Sequence, residues 1–278
     1  ILGRQMITKK IRHFSIEQIC DSGQCFRMTK LDDNKVEVIA KGKYLIITSN
    51  KDEVTFSCTK EEFEEVWKDY FDIDNSTDYE KIINSIDADD VYLRNAATYG
   101  DGIRILNQDL FEMIISFLIS QRNNIKRIRS VIKKLCEKYG EKKIYKGENN
   151  EEIVYYDFPT PEALVSADIN DIRALGTGYR DVYIKKAAED VVTGKLDLDK
   201  LKTLKYEEAK ETLLSLYGVG NKVADCICLF ALHHTDAFPM DTHIISIVNN
   251  EYNGSFPFEK YKGYSGVLQQ YMFFYDLR

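Results

Sequence analysis

No stretch of this 278-residue sequence approaches the roughly 18 consecutive apolar residues that a membrane-spanning helix needs. The longest apolar runs lie near 114–119 and 226–232, and residues 1–10 lack the apolar core of a secretory signal. There is no C-x-x-C pair. The six cysteines (20, 25, 58, 136, 226 and 228) are too few and too irregularly spaced for a secreted disulfide framework. The four histidines (13, 233, 234 and 243) match no ligand spacing such as H-E-x-x-H. These absences exclude a transmembrane helix and argue against a structural zinc pair, a thioredoxin motif and a side-chain metal centre. The expectation is an intracellular protein, without a cofactor and away from membranes.

A global excess of positive charge is also lacking. Lys and Arg number 38 against 45 Asp and Glu, a net charge of −7, which taken as a whole counts against a nucleic-acid partner. The distribution says otherwise. Residues 122–143 hold nine Lys or Arg and only two acids, Glu137 and Glu141, a local charge of +7. Screening over about 8–10 Å makes the local field matter more than the total. The apolar fraction of 44% and charged fraction of 30% are ordinary for a globular chain long enough to bury a sizeable core.

The first hundred residues read as β-rich. Segments 25–31, 35–49 and 53–59 alternate apolar and β-branched residues and break at Asp32-Asp33-Asn34, Gly42-Lys43 and Asn50-Lys51-Asp52. Residues 60–72 then place Phe63, Val66, Trp67 and Tyr70 on one helical stripe behind a Thr59 cap. From about Tyr79 onward helix signals repeat. Residues 110–120 are almost wholly apolar, and 125–139 carry Ile128, Val131, Ile132 and Leu135 on one stripe. Residues 146–152 read as a polar loop, and Thr160-Pro161 as a helix start. Further helices are expected at 170–175, 180–193, 206–215, 222–232 and 242–249. The fold class is α+β: an antiparallel sheet followed by a helical bundle.

Two segments rhyme. Leu175-Gly-Thr-Gly-Tyr179 and Leu216-Tyr-Gly-Val-Gly220 each join two helices through a glycine turn that delivers free N–H groups to a helix start, a cradle for phosphate or a plain structural turn. Lys222 follows in the first turn of the next helix, where a cation opposes the helix dipole. That field, with any desolvation, favours the neutral amine that Schiff-base chemistry requires. Asp241 opens another helix and serves either as its N-cap or as a fixed carboxylate facing a developing cation. Asp225 is a rival, one turn from Lys222, that could hold the lysine as an ion pair. Cys226 shares the lysine's face and by default is a small buried hydrophobe. Tyr179 and Arg180 follow the other glycine turn.

The run Leu216-Tyr-Gly-Val-Gly-Asn-Lys222-Val-Ala-Asp-Cys226, followed by Pro239-Met-Asp241-Thr-His243, closely resembles the helix–hairpin–helix Gly/Pro-Asp DNA glycosylases. Ser22-Gly23-Gln24-Cys25-Phe26-Arg27, Gly102-Ile-Arg-Ile-Leu-Asn-Gln-Asp109, Asn123-Asn124-Ile-Lys-Arg127, Phe158-Pro-Thr-Pro-Glu-Ala-Leu164, Gly176-Thr-Gly-Tyr179-Arg180 and Phe273-Phe-Tyr-Asp-Leu-Arg278 extend the likeness to the 8-oxoguanine glycosylase/lyase branch. The matches run in order from residue 22 to 278.

The resemblance implies base-excision repair by a bifunctional enzyme acting on double-stranded DNA that contains oxidised guanine. Lys222 would attack C1′ and form the Schiff base, and Asp241 would stabilise the sugar cation. Gly23 would offer its carbonyl to N7–H of the lesion, Cys226 and Phe273 would sandwich the base, and Gln269, with Gln270 as the alternative, would read its edge. Tyr179, Arg180, Arg127 and Asn124 would face the opposite strand. Gly218, Gly220 and His243 would meet phosphate, and the carbonyls of Leu216 and Val219 could hold a monovalent cation.

The implied organisation is a sheet domain with helices at 1–98, a central helical domain at 109–216, and a catalytic helix–hairpin–helix domain formed by 99–108 with 217–278. The protein is expected to act as a monomer, in the cytoplasm or nucleoid, or in a nucleus. Two departures stand out: Tyr217 replaces the usual proline, and Arg122-Asn123-Asn124 replaces Asn-Asn-Asn, which leaves the opposite-base preference open. No four-cysteine cluster follows the bundle, against an iron–sulfur relative. Alternatives are a non-catalytic helix–hairpin–helix DNA-binding module and a glycosylase of different lesion specificity.

Overall fold

The computed structural model describes residues 6–50, 53–73, 76–147 and 150–278. Five strands, β1 (Ile7–Lys10), β2 (Met28–Asp32), β3 (Lys35–Ala40), β4 (Lys43–Asn50) and β5 (Glu53–Phe56), form an antiparallel sheet in the order β1-β5-β4-β3-β2. Alternation sets its faces. Val36, Val38 and Ala40 of β3 are buried between the partly exposed Lys35, Glu37 and Ile39. Across the ladder Val38 pairs with Leu45, and Ile47 with Phe56. This face closes on Ile16, Ile19, Trp67, Tyr70 and Phe71, with Thr59 capping the helical segment by accepting the Glu62 N–H at 3.1 Å.

The remainder is mainly helical, organised around Leu110–Ser120. Ten of its eleven residues are buried, as its almost wholly apolar sequence requires. Ile125–Tyr139 lays Ile128, Val131, Ile132 and Leu135 on the same core and leaves most of its basic side chains outside. The expected fold class therefore holds. Strand β1 and the helices Ile16–Asp21, Leu198–Thr203 and Ser265–Asp276 add to the elements read from periodicity. Part of the expected turn at 50–52 lies outside the described residues.

The segment at 146–152 needs correcting. It is the loop at the tip of a hairpin whose strands the sequence reading did not include, β6 (Lys142–Lys146) paired with β7 (Glu152–Tyr156), which take in its end residues 146 and 152; 148–149 lie outside the described residues. Tyr145 and Tyr155 pack on Tyr44 of β4, with ring centroids 4.5 and 5.6 Å apart. The opposite face carries the exposed cross-strand pair Ile144 and Val154. The lysines of β6 continue the basic run of the preceding helix and mask its alternation.

Two buried polar joints fix the sheet against the helices. Gln24 donates to the Arg104 carbonyl (2.9 Å) and accepts from the Leu106 N–H (2.8 Å), while Gln108 donates to the Gln24 carbonyl (2.7 Å) and its own N–H donates to the Phe230 carbonyl (2.9 Å). The turn that carries Gly23 is thereby pinned to the strand-like segment that enters Leu110–Ser120 and to the end of Asn221–Ala231.

The second joint is His233 against Asp72, with Nε2 to Oδ2 at 3.4 Å, supported by the Tyr79 hydroxyl donating to Asp72 at 2.6 Å. Burial alone would lower the imidazole's pKa, but the Asp72 hydrogen bond and charge outweigh it and hold it above its ordinary value. Asp72 is held below its own ordinary value, because the hydrogen bonds from His233, Ser76 and Tyr79 overcome its burial. A raised imidazole contributes stability that is complete below its unfolded pKa and is lost as pH rises through the folded one. Thermal melts should therefore show Tm declining above about pH 6.5, and His233→Asn should flatten that decline. An unchanged slope in the variant would assign the decline to another group.

Candidate active site

Tyr206–Leu214 and Asn221–Ala231 are joined by a tight turn through Gly218, whose φ of 89° suits only glycine. Space forbids a side chain as well: a Cβ on Gly218 would lie 2.6–2.7 Å from the Tyr183 ring. Gly220, in contrast, caps the following helix in extended conformation with nothing within 4 Å of an added Cβ, and no side chain caps that helix start. The two glycines thus do different work. Gly218→Ala should destabilise the fold by about 2–3 kcal/mol, read as a fall in Tm. Gly220→Ala should leave Tm nearly unchanged, because an added methyl group meets nothing within 4 Å. Equal Tm for both variants would refute the distinction.

Lys222 sits half-buried in the first turn after Gly220. Its Nζ lies 5.5 Å from the centroid of the Phe117 ring, and Cys226 follows one turn later on the same helix face. Among the described residues no carboxylate lies within ion-pair distance of it. The rival Asp225 is engaged elsewhere: it accepts the Tyr206 hydroxyl at 2.7 Å and pairs with Lys210 at 2.9 Å. Burial raises the Asp225 carboxyl, and those two partners offset only part of the rise.

Burial pushes the Cys226 thiol up to about 11, against the lowering effect of Lys222, with the charges of Asp225 and Asp241 adding to the rise. Cys226 is thus a neutral wall beside the amine. Asp241 caps Thr242–Glu251 by accepting the Ile244 N–H at 2.9 Å, which fixes the direction of its carboxylate.

The opposite wall brings Gly23 and Phe273 together. Gly23 has φ 79°, and a Cβ there would come 3.2 Å from the Phe273 ring. Gln269 lies one turn before Phe273 on the same helix face, and its amide donates to the Pro239 carbonyl at 2.9 Å while accepting from Gln270 at 3.2 Å. Both glutamines are buried, and the Gln270 carbonyl oxygen has no partner. His243 meets the Phe273 ring edge-on at 5.8 Å and bonds Asp276 through Nδ1 at 2.6 Å, which leaves Nε2 facing away from that bond. Phe117 ties the walls together, contacting Phe26 edge-on at 5.6 Å and stacking on Phe230 at 5.8 Å.

The remaining candidates form a second cluster. Asn124 caps Ile125–Tyr139, and Arg127 donates to the Gly176 carbonyl at 3.3 Å. Tyr179 is 51% exposed, with the Arg180 guanidinium 4.5 Å from its ring centroid. Arg180 itself is only 6% exposed: it donates to the carbonyls of Gln121 (2.9 Å), Arg122 (3.1 Å) and Thr177 (3.2 Å). The resemblance sets it against the opposite strand; here its guanidinium is engaged in buttressing the 121–122 turn. The Gln121 side chain donates to the Gly218 carbonyl at 3.0 Å, joining this cluster to the hairpin. Leu216 and Val219 lie within the hairpin, where the Leu216 carbonyl already accepts the Val219 N–H at 3.1 Å. Gln24, Gln108, Phe117, Gln121 and Tyr183 were not singled out from sequence, because their roles rest on partners far along the chain.

Residues 6–114 match the family of the 8-oxoguanine DNA glycosylase N-terminal domain, and residues 115–255 that of the HhH-GPD superfamily base excision DNA repair proteins. The N-glycosylase/DNA lyase of Saccharomyces cerevisiae is 38% identical over 162 residues, covering 54% of this chain and 42% of that protein. The probable N-glycosylase/DNA lyase of Methanothermobacter thermautotrophicus is 31% identical over 173 residues, 55% of this chain and 54% of that one. The chain thus spans about half the length of the curated relatives it matches. Among solved structures, the apo 8-oxoguanine glycosylase/lyase of Clostridium acetobutylicum superposes with a TM-score of 0.89 at 33% identity, over 99% of this chain and 100% of that one. Its complex with double-stranded DNA carrying cytosine opposite 8-oxoguanine gives 0.87. With both stretches matched by these families and the whole chain superposing on a 33%-identical relative, the chain belongs to the HhH-GPD superfamily and, within it, to the 8-oxoguanine glycosylase/lyase family.

Proposed function

We propose that the protein is a bifunctional glycosylase that removes 8-oxoguanine from duplex DNA and then nicks the strand. The observation that carries this reading is Lys222, which has no carboxylate partner among the described residues and stands in the first turn of a helix with its Nζ 5.5 Å from the Phe117 ring and Cys226 one turn on. In the flipped nucleotide the amine's lone pair forms a bond to C1′ as the glycosidic bond breaks, and the base leaves with that electron pair and takes up a proton. The fixed Asp241 carboxylate offsets the positive charge that develops on the sugar. Opening of the sugar ring gives the imine. Loss of a C2′ proton then forms the C2′–C3′ double bond and expels the 3′ phosphate, and water releases the lysine.

Recognition follows from the opposite wall. The Gly23 carbonyl accepts the N7–H that 8-oxoguanine has and guanine lacks, a difference of a few kcal/mol once a buried acceptor would otherwise face a lone pair. Cys226 and Phe273 bracket the base, and Gln269 reads its edge, with Gln270 one residue on as the alternative. Gly218, Gly220 and His243 face the lesion strand's phosphates, and the Leu216 and Val219 carbonyls hold a monovalent cation there. Tyr179 occupies the vacated stack while Asn124 and Arg127 meet the opposite base, and Arg180 supports the turn beside them. On this reading the protein works inside the cell, on chromosomal DNA.

Borohydride trapping on an 8-oxoguanine·cytosine duplex tests the proposal. Wild-type protein should release the base, nick the strand and leave a covalent adduct. Salt-sensitive binding without base release would instead identify a DNA-binding module.

A further inference from the structure

Three tyrosines run without a break from the hairpin to the turn before Arg180–Val192. Tyr217 meets Tyr183 edge-to-face at 5.3 Å and 78°, and Tyr183 meets Tyr179 at 5.7 Å and 79°. Cations close both ends, with Lys186 5.9 Å from the Tyr217 ring and Arg180 4.5 Å from that of Tyr179. The middle ring also lies flat against the backbone of Gly218. From Arg180 the path continues to the Gln121 carbonyl, and the Gln121 amide returns to the Gly218 carbonyl at 3.0 Å. The contacts form a closed circuit: Gly218, Tyr183, Tyr179, Arg180, Gln121 and Gly218 again.

Such a circuit has a physical consequence for a ring that is half exposed. An isolated surface tyrosine loses rotamer freedom when it enters a base stack, whereas one held between an aromatic edge and a guanidinium has already lost it. We propose that Tyr183 is a positioning residue that locks the intruding Tyr179 to the phosphate-facing hairpin, so that gripping the backbone and breaking the stack occur as one rigid motion. Tyr217 extends the lock, which gives a role to the residue standing where proline is usual. This deepens the function proposed above and rests on it.

The test compares single-turnover base release from two duplexes: 8-oxoguanine opposite cytosine, and 8-oxoguanine opposite an abasic site, where less stacking remains to be broken. Tyr183→Leu should lose about tenfold on the paired duplex, the equivalent of its two aromatic contacts, and under about twofold on the relaxed one. Tyr183→Phe, which keeps the ring, should match wild type on both. Tyr217→Leu, at a 56% exposed position with little to lose in folding, should show the same bias to a smaller degree. Equal losses on the two duplexes, or none on either, would overturn the coupling while leaving the glycosylase assignment intact. Absence of base release by the wild-type protein from both duplexes would overturn that assignment, and the coupling with it.

Discussion

Lys222→Gln is expected to abolish both the borohydride-trapped adduct and strand nicking, and to slow base release by about a thousandfold or more. On the proposed mechanism, loss of the amine removes the atom that bonds to C1′, and Asn221–Ala231 holds no other lysine. The fold should not suffer. A cation in the first helical turn opposes the dipole, so the neutral amide should raise stability by about 0.3–1 kcal/mol. Binding to undamaged duplex should change by no more than the loss of one phosphate contact. An adduct that survives the substitution would assign the chemistry to another amine and reduce Lys222 to such a contact.

Asp241→Asn separates the two roles of that residue. Asparagine caps helices as well as aspartate does, so the bond to the Ile244 N–H persists and Tm should stay within about 0.5 kcal/mol of wild type. The charge facing the sugar cation does not persist, and single-turnover base release should fall about 100–1,000-fold. Asp241→Ala should lose the same activity and about 1 kcal/mol of stability in addition. Full activity in Asp241→Asn would leave the residue as a cap alone.

Legibility from sequence followed the range of the interactions. Leu110–Ser120 and Ile125–Tyr139 were visible to the residue because each carries its burial pattern within one element. Thr160-Pro161 opens its helix as expected, since the capping Thr160 oxygen and the Ala163 N–H that donates to it are three residues apart. The choice between Asp225 and Asp241 could not be made that way. Asp225 is one turn from Lys222 and Asp241 opens another helix, and what diverts Asp225 is Lys210 on the preceding helix. The buttressing by Arg180 was hidden for the same reason: its acceptors, Gln121 and Arg122, lie about sixty residues earlier. The Gln24 and Gln108 bonds leave no periodic trace at all.

Those two glutamines have an evolutionary consequence. Gly23 lies in the stretch that matches the sheet-domain family and Lys222 in the stretch that matches the helical one, so on the proposed reading the lesion reader and the reaction centre fall in different family segments. Amide bonds across the seam place the reader's backbone relative to the end of the helix that bears the nucleophile. A recombinant that paired this helical half with a foreign sheet half lacking Gln24 would inherit chemistry without aim: a lyase for sites already stripped of their base, but no longer a judge of which base to strip.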